Sequence, residues 1–236
     1  MKKTVLLSFL VFLLYSTSLH AQATFTVADG DVTNSYVPVY GWNTDRFLRE
    51  QIIYPASMLT SLVGSNISSM TFYLSTPPSS SWGSVFNVSL GVTASSAFNS
   101  NTEYFLTDAT TVLYTGTLTV NSNNTMTVTF SSPFFYTGGN LLLDISTVTK
   151  DNNYSSAYFT GIQSQGGSAY DYASGSLAAA DDPSVVNFIP KTTFHYTLGN
   201  TCMHPFNLSV SDVAGSSAMI QWRDFTTFTP DHYEVL

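Results

Sequence analysis

Leu118-Thr119-Val120-Asn121-Ser122-Asn123-Asn124-Thr125-Met126-Thr127-Val128-Thr129-Phe130 decides how the rest of the chain is read. Apolar residues at 118 and 120, then at 126, 128 and 130, alternate with threonine. A period of two puts one set of side chains on a buried face and the other in water, as in a strand. Between the two runs lie only Asn and Ser, which favour turns, so the segment reads as a hairpin.

The same alternation recurs on both sides. Met70, Phe72 and Leu74 alternate with Thr71 and Tyr73; Phe86, Val88, Leu90 and Val92 alternate with Asn87, Ser89 and Gly91. Leu141-Leu142-Leu143 is continuous, the pattern of a strand covered on both faces. Weaker strands are expected at 156–160, 185–189 and 192–197. Turn signals fall at Pro77 to Ser81, Ser131-Ser132-Pro133, Thr137 to Asn140 and Gln165-Gly166-Gly167-Ser168. One short helix is expected from Pro55 to Leu62, with Pro55 in its first turn. About ten short strands without helical periodicity predict an all-β fold, an antiparallel jelly-roll-like β-sandwich over residues 24–198.

The N-terminus reads as a secretory signal peptide, residues 1–23. Lys2 and Lys3 precede an apolar stretch from Val5 to Leu14, and Ala21-Gln22-Ala23 offers cleavage after either alanine. That stretch is short of the ~20 residues needed to span a bilayer. No other stretch suggests a transmembrane segment, so the mature protein is expected to be secreted or held at the extracellular cell surface. Removing Lys2 and Lys3 leaves five basic residues against fifteen acidic ones, a net charge of −10. That balance argues against nucleic acid, whose phosphates need a basic face. The lone cysteine, Cys202, lies in a linker, residues 199–204, and has no partner within the sequence. A bridge to a cysteine further along the chain and a free thiol both remain open.

From Pro205 the pattern restarts. Leu208 and Val210, then Ala218, Ile220 and Trp222, then Tyr233 and Val235 mark three strands. Three cannot close a sandwich of about seven. Residues 205–236 are therefore expected to open a further domain, with more of the same chain beyond. Pro205, Leu208, Val210, Ser217, Ile220, Trp222, Tyr233 and Val235 resemble the start of a fibronectin type III domain. That resemblance implies a spacer or binding module with Trp222 and Tyr233 in its core.

The larger region carries Val37-Pro38-Val39-Tyr40-Gly41-Trp42, Gln51-Ile52-Ile53-Tyr54-Pro55-Ala56, Phe86 to Thr93, Ser132-Pro133-Phe134 through Leu141, and Phe188-Ile189-Pro190-Lys191. Together these resemble an N-terminal β-sandwich domain of secreted, multidomain Bacteroidetes-type surface proteins. The resemblance implies an architecture in which fibronectin-like repeats follow; it implies no activity.

No catalytic signature is present: no H-E-x-x-H, no G-x-S-x-G, no P-loop. After the leader only His195, His204 and His232 remain, and His195 between Phe194 and Tyr196 reads as a solvent-side strand residue. Calcium is a weak possibility. It takes several oxygen ligands, and Asp29-Gly30-Asp31 with Asn34, Asp151-Asn152-Asn153, and Asp181-Asp182 are oxygen-rich. The same residues make turns for local backbone reasons.

Aromatic rings are the remaining candidates. A pyranose packs its C–H face on an aromatic ring while amides and hydroxyls meet its hydroxyls. Tyr40, Trp42, Trp82, Tyr170 and Tyr172 lie in or beside loops. Trp42, next to Gly41, reads as a packed ring more than a displayed one; Trp82, after Ser79-Ser80-Ser81, reads equally as loop edge or core. The function expected is a non-catalytic, adhesin-like or carbohydrate-binding module, with glycans or host extracellular matrix proteins as partners. The alternative is an accessory domain of a secreted protease or glycosidase whose catalytic domain lies beyond residue 236.

Overall fold

The computed structural model describes residues 22–99, 104–199, 206–214 and 217–223. The signal-peptide reading, Cys202, His204, His232 and the Tyr233-Val235 strand lie outside them.

The chain is all-β and antiparallel. Its strands are β1 (Ala23–Val27), β2 (Val32–Asn34), β3 (Phe47–Tyr54), β4 (Ser65–Thr76), β5 (Val85–Thr93), β6 (Thr110–Thr117), β7 (Thr125–Tyr136), β8 (Asn140–Thr149), β9 (Tyr158–Ala173), β10 (Ser184–Pro190) and β11 (Thr192–Leu198). One layer runs β1-β11-β4-β7; the other runs β9-β3-β8-β5-β6, with β10 and β2 also on β9. The far end of β4 joins them, where Leu74 pairs with Phe159 and Thr76 with Tyr158. The sheet thus curls and closes on a shared core.

Alternation explains which residues fill that core. Phe72, Met70 and Ile67 of β4, Phe194 of β11 and Met126 and Val128 of β7 point in from one layer; Ile52 and Tyr54 of β3, Phe86, Val88 and Leu90 of β5 and Leu143 and Ile145 of β8 point in from the other. Tyr54 ties the layers together. Its ring meets Phe194 edge-on at 5.6 Å, and its hydroxyl lies 2.7 Å from that of Thr192.

The Leu141–Leu143 run is covered on both faces, as expected. Leu142, Ile53 and Ala169 point outward and pack with Phe98 and Phe105 of the β5–β6 connection. Gln51 pins that connection as a strand neighbour would: its amide donates to the Leu106 carbonyl at 3.0 Å and accepts the Leu106 N–H at 2.9 Å. The same amide nitrogen donates to Asp144 at 2.6 Å, and Arg49 pairs with Asp144 at 3.0 Å, so the buried carboxylate is partnered.

Four expectations need correction. The Leu118–Val120 strand is a single bridge from Val120 to Met126, the strand proper lying earlier as β6. Ser131-Ser132-Pro133 does not end a strand; β7 continues to Tyr136. Its pairing with β4 slips between Ile67 and Ser69, and among the described residues β7 pairs with no other named strand, so a proline lacking its N–H is tolerated there. Gln165 to Ser168 is likewise inside β9. Gly166 (φ +61°) makes a bulge whose N–H is taken by Asn187, where the β10 register shifts. The Pro55–Leu62 helix is two short 3-10 turns, Ala56–Met58 and Thr60–Leu62.

The hairpin turn is as read: Asn124 sits at φ 59° and its N–H bonds the Asn121 carbonyl. Of the three strands expected after Pro205, two are present, β12 (Phe206–Ala214) and β13 (Ser217–Arg223), paired antiparallel in a sheet of their own.

Candidate functional site

Loops at one end of the sandwich gather the aromatic candidates. The β2–β3 connection holds Tyr36, Tyr40, Trp42 and Arg46; the β8–β9 connection holds Tyr154; and the end of β9 supplies Tyr170 and Tyr172. A 3-10 turn, Gly41–Asn43, presents Trp42 outward at 55% exposure. Tyr154 is 48% exposed and meets the Trp42 ring at 5.1 Å with the planes 73° apart. The two rings form an open corner.

The base of that corner is rigid, and the sequence explains why. Gly41 sits so close to the β8–β9 connection that a Cβ would lie 2.2 Å from the Ser155 carbonyl and 2.9 Å from the Trp82 ring. Only glycine permits that approach. The Gly41 carbonyl accepts the Ser155 N–H at 2.9 Å. Thr44 donates its hydroxyl to the Gly41 carbonyl at 3.1 Å and the Asn153 carbonyl at 2.9 Å. Ser84 donates to the Thr44 carbonyl and accepts the Asp151 N–H at 2.8 Å. Buried polar groups with every partner in place hold one geometry.

Trp82 belongs to this base, which corrects its candidacy as a displayed ring. It is 3% exposed, and its indole N–H donates to the Ser155 carbonyl at 2.8 Å. The preference for Trp42 as a packed ring is also reversed. Ser79 caps Ser155 through both its N–H and its hydroxyl, so the serine run anchors the loop and turns Trp82 inward.

Tyr40, Tyr170 and Tyr172 do come together, with Tyr36 as a fourth member. Tyr36 stacks on Tyr170 at 4.7 Å, and Tyr40 meets Tyr36, Tyr170 and Tyr172 edge-on at 5.0, 5.4 and 5.8 Å. The Arg46 guanidinium lies 5.1 Å over Tyr172. Burial, then the neighbouring phenols Tyr36 and Tyr40, push the Tyr170 hydroxyl up to about 12. The Tyr40 phenol is raised by burial first, then by Tyr36 and Tyr172.

Beneath this cluster lies Glu50, opposite Tyr170 in the β3–β9 register and fully buried. One carboxyl oxygen accepts the Tyr40 N–H at 3.0 Å; the other, Oε2, has no hydrogen-bond partner. Burial raises its pKa well above the usual carboxylate range, against the Tyr40 bond, and Asp144 raises it further. Burial therefore favours the protonated form of Glu50, whose carboxyl holds the β2–β3 connection to β3.

The calcium candidates are not assembled. Asp29 pairs with Lys191 at 2.5 Å, Asp151 accepts the Asn153 amide at 2.8 Å, and Asp171 accepts the Asp182 N–H at 3.2 Å. Asp31 and Asp181 are exposed. Among the described residues no three His, Cys, Asp or Glu side chains group as metal ligands. His195 is on the outer face as expected, half-buried beside the Thr71 hydroxyl at 3.0 Å, its pKa lowered by burial.

Sequence reasoning missed Tyr154, Tyr36 and Arg46, and did not single out Glu50 from the other carboxylates. Tyr154 was legible as an aromatic in the turn-rich Asn152-Asn153-Tyr154-Ser155, which reads first as an oxygen-rich loop. Glu50 was legible as the one carboxylate in the inward series Leu48, Glu50, Ile52, Tyr54.

No family model and no curated protein matches the chain. Among solved structures, it is similar to the cysteine protease and lectin-like domains of Cwp84, a surface layer associated protein of Clostridium difficile, at 11% identity and TM-score 0.40. The match covers 71% of this chain and 36% of that one, so this chain spans about a third of it. No helix among the described residues is long and apolar enough to cross a membrane.

Proposed function

We propose that this chain is a non-catalytic, exported or cell-surface module that binds carbohydrate at the aromatic loop end. The observation that carries this is the Trp42–Tyr154 corner: two rings about half exposed, set edge to face, on a base fixed by hydrogen bonds. Large rings held open to water lose hydrophobic burial unless something covers them, and an oriented ring is suited to the C–H face of a sugar. No nucleophile, base and orienter signature is legible in the sequence, which is why this reading favours binding over chemistry. Glycans, free or on host extracellular matrix proteins, are the partners this reading implies.

The exported chain applied to a glycan array and to immobilised matrix glycoproteins tests it. Binding to at least one saccharide is expected, lost in Trp42→Ala. A folded protein that binds none of them leaves only a structural role.

A further inference from the structure

We infer that the Trp42–Tyr154 corner takes one ring of a neutral, soluble oligosaccharide, and not the flat surface of a crystalline polysaccharide or a carboxylated sugar. This rests on the carbohydrate reading above and adds the shape and charge of the ligand.

Shape follows from the ring planes. A crystalline polysaccharide presents sugar faces in one plane, and a protein matches it with rings side by side in one plane. Trp42 and Tyr154 stand 73° apart at 5.1 Å. A single pyranose can lay its C–H face on one ring while its rim touches the other, so the corner grips one sugar from two directions. The neighbouring tyrosines do not extend it into a platform. Tyr36 and Tyr170 are nearly parallel, 17° apart, but stacked on each other at 4.7 Å, so each covers a face of the other. Tyr40 meets its neighbours edge-on.

Charge follows from the polar groups beside Tyr154. The Asn153 amide donates to one oxygen of Asp151 at 2.8 Å. That leaves the other carboxylate oxygen and the amide carbonyl as acceptors, the complement of sugar hydroxyls. A carboxylate on the same connection as Tyr154, three residues away, disfavours an anionic sugar. Among the described residues neither nearby cation forms an ion pair with Asp151: Arg46 lies over Tyr172 at 5.1 Å and Lys150 over Phe47 at 5.8 Å.

The test measures binding of the exported chain to three sets of probes. The first is soluble neutral hexasaccharides of β-1,4-linked glucose, N-acetylglucosamine, xylose and mannose; the second is oligomers of uronic acids; the third is suspensions of microcrystalline cellulose and chitin. Saturable binding to a soluble neutral oligosaccharide is expected, weakened at least about tenfold by either Trp42→Ala or Tyr154→Ala. Both side chains are half exposed, so thermal melting of these variants should match the parent and confirm that they fold. Retention on the crystalline polymers alone, preference for the uronic acids, or neutral-sugar binding indifferent to both substitutions would overturn the inference and leave carbohydrate binding standing. No binding to any probe by the folded protein would overturn both.

Discussion

Trp42 and Trp82 lie on either side of Gly41 and live in opposite environments. Trp82 is buried with its N–H bonded to Ser155; Trp42 is more than half exposed on the turn above. The difference teaches that the partner of the indole N–H, more than the polarity of adjacent residues, decides which ring is displayed. An indole loses little by burial when a fixed carbonyl receives its donor. The serine run before Trp82 supplies that fixed carbonyl indirectly by capping Ser155. One region is therefore a prop and the other a surface, and substitutions should separate them.

The largest effect is expected at the prop. Trp82→Ala should cost about 3–5 kcal/mol, as large-to-small changes at buried aromatics do, read by denaturant unfolding. Gly41→Ala comes next. With a Cβ driven into the Ser155 carbonyl, it should cost about 1–3 kcal/mol and weaken saccharide binding by displacing the turn that carries Trp42. If Gly41→Ala melted like the parent and bound equally, the base would not be rigid.

Glu50→Gln sharpens the link between the base and the tyrosine cluster. The folded state holds the Glu50 proton to higher pH than the unfolded chain does, so stability falls as pH rises from the unfolded pKa through the raised folded one. Glutamine removes that loss. The variant should melt increasingly higher than the parent as pH rises above the unfolded pKa, and the gap should close below it. A gap independent of pH would show that the Glu50 pKa is not raised on folding. The smallest stability effect, within about 0.5 kcal/mol, is expected for Trp42→Ala, measured in the same unfolding assay.

Much of the fold was legible because alternation reports burial directly. Met70, Phe72 and Leu74, and Phe86, Val88 and Leu90, face the core, Val92 at the end of the second series is exposed, and the Leu141–Leu143 run is sealed on both faces. Glycine and proline misled where long-range pairing overrode local preference. Pro133 sits where β7 slips in register against β4, and Gly166 makes a bulge that Asn187 completes from another strand.

The site was half legible. Tyr40, Tyr170 and Tyr172 were named from their loops, and the fold unites them. Which tryptophan is displayed depends on the Ser155 carbonyl, 73 residues from Trp82 in sequence, and no local pattern records that contact. Of the carboxylates read as calcium ligands, Asp29 pairs with Lys191 and Asp151 accepts from Asn153, while Asp31 and Asp181 are exposed.

The most direct test of the central claim is a calorimetric titration of parent and Trp42→Ala with the best soluble neutral saccharide found on the array. A loss of at least about tenfold in affinity with unchanged melting is the predicted result. Equal affinity in the two proteins would contradict the assignment of the displayed corner as the binding surface.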